Sequence, residues 1–190
     1  GEATTVCKEF LHCNLVRFDR DTVPVSQIMG DSNIVCLLFG AAWCMPSRHF
    51  VPILYEAYRD IRREYGRDAL EVVYVPRDKT FEDWRDFFGQ MPWVSLPWES
   101  DVVYSLKAQF GVKSLPRLVA LNKQGGVVVP DARGGYGFGF GCDSLAAYNW
   151  ILRCAGLATR EPEPVAAVGS AHSAEESESS SEEEDGEEGG

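Results

Sequence analysis

Six cysteines, at positions 7, 13, 36, 44, 142 and 154, are the residues of this sequence best suited to chemistry, and their spacing decides which kind. None forms a CxxC pair, and the set lacks the close, regular spacing of a small secreted disulfide scaffold. A reducing compartment is therefore expected, the cytoplasm by default, with nucleus or organelle left open. Cys44 stands apart. It follows the apolar run Ile34 to Gly40 and precedes Pro46 and a periodic apolar stripe, which places its thiol where a strand turns into a helix. Unpaired backbone N–H groups and the positive end of the helix dipole meet there, and both favour thiolate over thiol. The chemistry expected is nucleophilic attack by sulfur. His49, five positions on, falls on a different side of the helix, which argues against a Cys–His hydrolase dyad. With no clustered Cys and His, neither a metal site nor a bound cofactor is expected. Cys36, inside an apolar run, reads as inert, whereas Cys142 and Cys154 flank the last helix and are candidates for a substitute resolving thiol.

The elements that position Cys44 follow from hydrophobic periodicity. The run 34–40 (IVCLLFG) predicts a strand covered on both faces. Phe50, Ile53, Leu54, Ala57, Tyr58 and Ile61 recur at helical offsets, and the stripe stops at Arg62, Arg63 and Gly66. Leu70 to Pro76 (LEVVYVP) predicts a second buried strand, so strand–helix–strand implies a parallel pair with a right-handed crossover and an α/β fold. Ligand sites in such sheets lie beyond the carboxyl ends of the strands, where Cys44 falls. Further along, 81–88 and 101–110 read as helices, Pro92 to Trp98 as a connection, 117–122 and 127–129 as a hairpin, and 143–154 as a capped helix. Asn14 to Phe18 reads as an edge strand. The glycine-rich stretch 134–141 has no strand-to-helix turn with a lysine and reads as an aromatic loop rather than a phosphate cradle.

Charge divides the 190 residues unevenly. The net charge is -11, and residues 161–190 carry eleven acidic residues and no basic one. Such a tail cannot bury enough apolar area to offset chain entropy and is expected to be disordered. The expected organisation is a mobile start over 1–11, a folded domain over 12–158 and an acidic Ser/Glu-rich tail over 159–190. The tail suits basic proteins as partners, and Ser173, Ser179, Ser180 and Ser181, each with Glu three residues on, suit an acid-directed kinase. The balanced domain and acidic tail argue against nucleic acid, and no apolar run is long enough to span a membrane.

Trp43-Cys44-Met45-Pro46-Ser47-Arg48, with Met91-Pro92-Trp93, Pro97, Phe110-Gly111-Val112 and Leu115-Pro116, resembles the tryparedoxin/nucleoredoxin branch of the thioredoxin superfamily over residues 12–135. The resemblance implies a thioredoxin-like fold, a central mixed β-sheet flanked by helices. It also implies a cis Leu115–Pro116 bond beside the reactive sulfur, with Cys44, Ser47 and Pro116 as catalytic positions. Trp43, Met45, Pro46, Leu115 and Arg117 are then the substrate-binding surface. Two departures matter: Met45 and Ser47 stand where WCPPCR has Pro and Cys. Without a second thiol, an adduct at Cys44 must wait for an external one, such as glutathione or trypanothione, and the Ser47 hydroxyl is left to hydrogen-bond the thiolate. The expected partners are proteins bearing disulfides or reactive thiols. Three readings stay open: a one-cysteine thiol–disulfide oxidoreductase, an impaired binding or adaptor module, and an engineered Cys-to-Ser trapping variant of a dithiol protein.

Overall fold

Thirteen elements are present in the computed structural model, which describes residues 4–133, 140, 141 and 143–160. The expected acidic tail, the glycine-rich stretch 134–139 and Cys142 lie outside the described residues. Strand β3 (Ile34–Gly40) is buried along its whole length, as a run of apolar residues without alternation requires. Its side chains alternate between two cores. Ile34, Cys36 and Leu38 face the side that holds Leu54, Ile61 and Tyr148, whereas Val35, Leu37 and Phe39 face Ile28, Val103 and Leu106.

Helix α3 (Met45–Tyr65) follows β3, and its buried Phe50, Leu54, Ala57 and Ile61 repeat at the predicted spacing. Arg62 and Arg63 complement its carboxyl end, and Gly66, at φ 98°, ends it in a conformation that a side chain would strain. Strand β4 (Leu70–Pro76) returns parallel to β3, completing the predicted crossover. Helix α4 (Phe81–Phe88) is capped by the Thr80 side chain, α5 (Asp101–Phe110) ends at left-handed Gly111, and α6 (Ser144–Cys154) is capped by Asp143. Strands β6 (Arg117–Leu121) and β7 (Val127–Val129) form the predicted hairpin, with β6 antiparallel to β3.

Four differences from the sequence reading come from elements too short to carry a period. Strand β1 (Asn14–Val16) is not an edge: it pairs with β2 (Thr22–Pro24) on one side and β5 (Val94–Ser95) on the other. The sheet therefore has seven strands in the order β2-β1-β5-β4-β3-β6-β7. Helix α2 (Val25–Asp31), seven residues and about two turns long, escaped detection for the same reason. Strand β5 interrupts the segment read as a connection. Of the segment expected to be mobile, residues 4–11 are packed onto the fold. Val6 and Phe10 are buried beneath the short helix α1 (Lys8–Leu11), the Val6 N–H donates to the Gly125 carbonyl at 2.7 Å, and the Gln109 side chain donates to the Thr5 carbonyl. At the other end the chain stays fastened to Arg160, whose backbone pairs with the Asn149 side chain and whose guanidinium donates to the Tyr65 carbonyl at 2.7 Å.

Candidate active site

Three loops converge beyond the carboxyl ends of β3 and β4: residues 41–44, 77–80 and 113–116. Cys44 is the N-cap of α3, with extended backbone (φ -94°, ψ 111°), and its carbonyl already accepts the Arg48 N–H. Pro46 follows in the first turn, where its missing N–H costs nothing. The thiol thus sits among N–H groups that the helix does not use. It is half-buried, and its Sγ donates to the Leu115 carbonyl at 3.6 Å. The Leu115–Pro116 bond is cis, and Phe39 of β3 pairs with Arg117, so β6 starts beside the place where β3 ends. This is how two residues 71 positions apart in the chain come into contact.

Asp78 fixes the loop that carries the cysteine. Its carboxylate accepts the Ala42 N–H at 2.7 Å and the Tyr74 hydroxyl, while the Gly40 carbonyl accepts the Arg77 N–H. Burial pushes the Asp78 carboxyl above the ordinary carboxylate range, and the Ala42 and Tyr74 hydrogen bonds oppose that rise. Sequence reasoning missed Asp78. The signal was available, because a carboxylate just past Pro76 lies at the same sheet end as Cys44.

Trp43 is 53% exposed but anchored: its indole N–H donates to the Arg77 carbonyl at 3.0 Å, and Lys79 lies over the ring at 5.2 Å. With Met45, 57% exposed, and exposed Pro46 it forms an apolar rim around the sulfur. Leu115 is half-buried and Pro116 buried on the opposite side.

Ser47 and Arg117 make contacts other than those expected. Ser47 is 1% exposed, and its Oγ accepts the Ala41 N–H at 3.4 Å; no hydrogen bond joins it to Cys44. The hydroxyl lies beneath the loop beside Gly40, because position 47 faces the core side of the first turn. Arg117 does not offer its guanidinium to the sulfur. Nε donates to the Pro130 carbonyl at 3.0 Å and Nη1 to the Phe110 carbonyl at 3.1 Å, which ties the end of α5 to the hairpin. Burial pushes the Cys36 thiol up to about 12 and the Cys13 thiol up to about 11, with Cys7 also raised. Cys154 is exposed on α6.

A family model described as thioredoxin-like matches residues 31–127. Tryparedoxin of Trypanosoma brucei brucei is 36% identical over 108 residues, 56% of this chain and 72% of that protein. Probable nucleoredoxin 1 of Arabidopsis thaliana is 34% identical over 115 residues, 60% of this chain but 19% of the plant protein. Mus musculus nucleoredoxin is 30% identical over 127 residues, 66% of this chain and 28% of that protein, so the chain spans only a fraction of the nucleoredoxins. Among solved structures, tryparedoxin I of Crithidia fasciculata is 32% identical with a TM-score of 0.57, covering 65% of this chain and 82% of that one. A tryparedoxin II complexed with glutathionylspermidine is 28% identical with a TM-score of 0.58, covering 66% and 86%.

Proposed function

The chain belongs to the thioredoxin-like family, among relatives of tryparedoxin and nucleoredoxin, and from that premise we propose that it exchanges disulfides through the single sulfur of Cys44. The observation that carries this reading is a half-buried thiol at a helix start with a serine, not a second thiol, one turn on. The Cys44 sulfur attacks one sulfur of a partner disulfide. Its electron pair makes the new S–S bond, and the partner's other sulfur leaves as thiolate. The Ser47 hydroxyl cannot form a replacement disulfide, so an external thiolate attacks the adduct on the partner's sulfur and Cys44 departs as thiolate. A second external thiol then frees the partner as a thiol and leaves the external pair oxidised. Trp43, Met45 and Pro46 supply the surface against which an extended partner lies, with the Leu115 backbone across from it.

The external thiol is proposed to be of the glutathione or trypanothione type, consistent with the glutathionylspermidine held by one solved relative. Proteins with disulfides or reactive thiols are the proposed partners, in a reducing cytoplasmic setting.

Reduction of insulin disulfides with excess glutathione tests this. Turnover by the wild-type chain that is lost in Cys44→Ala supports it, and equal rates for the two would overturn it. Ser47 also favours a second reading, a binding module that captures partners without turnover. Persistent Cys44 adducts that excess glutathione does not discharge would decide for that one.

A further inference from the structure

The end of the fold opposite Cys44 carries a cleft that the thiol chemistry does not use. Its lining includes three arginines, Arg17, Arg62 and Arg67, against two carboxylates, Asp19 and Glu71, with Phe18, Tyr58 and Trp93 as its apolar part. Tyr58 lies fourteen residues beyond Cys44, which along a helix is about 20 Å. Arg62 is committed to Glu71 at 3.3 Å, and Tyr58 donates to the same carboxylate. Arg17 and Arg67 are different. Both are exposed, and among the described residues neither side chain forms an ion pair or hydrogen bond. Phe18 is 70% exposed on the rim and continues into a neighbouring apolar groove against Phe81, Trp84 and Phe88, bordered by Arg20 and Arg85. Trp93, 2% exposed, has an indole N–H without an acceptor.

The surface calls for carboxylates beside small apolar residues, and the same chain carries such a segment. The described chain ends at Arg160, fastened to Tyr65, and Arg62 and Arg67 stand three residues before and two after that anchor. The acidic segment therefore leaves the fold next to the cleft. It begins EPEPVAAV, and nine of its eleven acidic residues fall between Glu175 and Glu188. A flexible chain of about 15 residues spans roughly 20 Å root-mean-square, a reach that would give the acidic run near millimolar effective concentration at this face.

We infer that segment 161–190 docks onto the cleft of its own chain, with its carboxylates facing Arg17 and Arg67 and its Pro-Val-Ala residues against Phe18. The contact is a surface electrostatic one, so salt releases it as the Debye length falls from about 30 Å at 0.01 M to about 3 Å at 1 M. The inference is independent of the redox reading.

Amide and indole NMR spectra of the full-length chain test it. Raising the salt, or neutralising the tail (Glu182→Gln, Glu183→Gln, Glu184→Gln and Asp185→Asn together), should displace the Phe18, Arg67 and Trp93 indole resonances in the same direction. In the Arg17→Glu, Arg67→Glu double variant the tail neutralisation should leave the Phe18 amide and Trp93 indole resonances unmoved, while an unchanged Cys44 alkylation rate confirms an intact fold. Cleft resonances that ignore both salt and tail charge would overturn the inference. So would displacements that grow with protein concentration, which mark a tail bound to a second copy. Tail resonances that move only when a basic protein is added would equally overturn it, because the tail's partner is then external.

Discussion

Replacing Ser47 with cysteine should convert long-lived adducts at Cys44 into transient ones. An ideal helix, rising 1.5 Å per residue at a 2.3 Å radius, places Cα atoms three residues apart at about 5 Å. That lies inside the roughly 4.4–6.8 Å window that a disulfide tolerates. Ser47 Oγ accepts the Ala41 N–H at 3.4 Å, a long hydrogen bond that a slightly larger sulfur can replace with small adjustments. The overpacking cost should stay near the low end of the usual range, about 1 kcal/mol. A thiol held there attacks at an effective concentration of at least about 1 M, a conservative figure beside the 10⁵–10⁸ M of aligned groups. Against about 1 mM external thiol, the adduct lifetime should fall about a thousandfold or more. Cys44 loaded with a chromogenic or fluorescent disulfide, followed by stopped-flow release with and without glutathione, measures it. Glutathione-independent release should appear in Ser47→Cys and be absent from the wild type. If adducts of the variant outlive glutathione treatment as the wild type's do, position 47 is out of reach of the sulfur and the geometry assigned to this turn is wrong.

Asp78→Asn should alter how stability responds to pH. The carboxyl of Asp78 sits above its ordinary value of 3.8 because it is buried, so the native chain holds that proton where the unfolded chain has lost it. Its contribution to stability is greatest below that value and declines as pH rises through the raised native one. Urea midpoints from pH 3 to pH 7 should show the variant gaining on the wild type as pH rises, and a constant difference would refute this. Leu54→Ala, at a fully buried site of α3, should cost about 2–5 kcal/mol by denaturant unfolding. Alkylation of the native protein near pH 8, followed by peptide mapping, should modify Cys44 and exposed Cys154 first and Cys13 slowly. Cys36 should react only after unfolding, since burial holds its thiol near 12. Breaking the anchor with Asn149→Ala should free Arg160 and leave Cys44 chemistry unchanged, with amide exchange at Arg160 as the readout.

Length separates what was legible in the sequence from what was not. Seven-residue β3 and β4 and the 21-residue α3 carry enough apolar positions to declare their period, and with them the crossover that puts Cys44 at the sheet's functional end. Three-residue β2 and two-residue β5 do not, and the strand read at Asn14 to Phe18 gave no sign of which neighbours it pairs with. Their pairing is set by the sheet they join. The contact between Cys44 and Leu115 was invisible to spacing and reached only through family resemblance; the pairing of β6 with β3 creates it. The partners of Arg117 were not legible, because the type of a side chain does not reveal them, and here two carbonyls hold its guanidinium. Asp78 was overlooked since attention followed sulfur rather than the groups that hold the loop in place.

The order found in residues 4–11 bears on the rim of the sheet. Strand β7 is three consecutive valines on an outermost strand, the kind of sequence that invites another molecule to add on edge to edge. The Thr4 carbonyl takes the Val127 N–H at 2.7 Å, and Thr5 bridges Gly126, so the leading segment occupies the start of that free margin. Trimming the chain back to Lys8 should uncover that stretch of open β-template, and light scattering would show whether the shortened chain then self-associates.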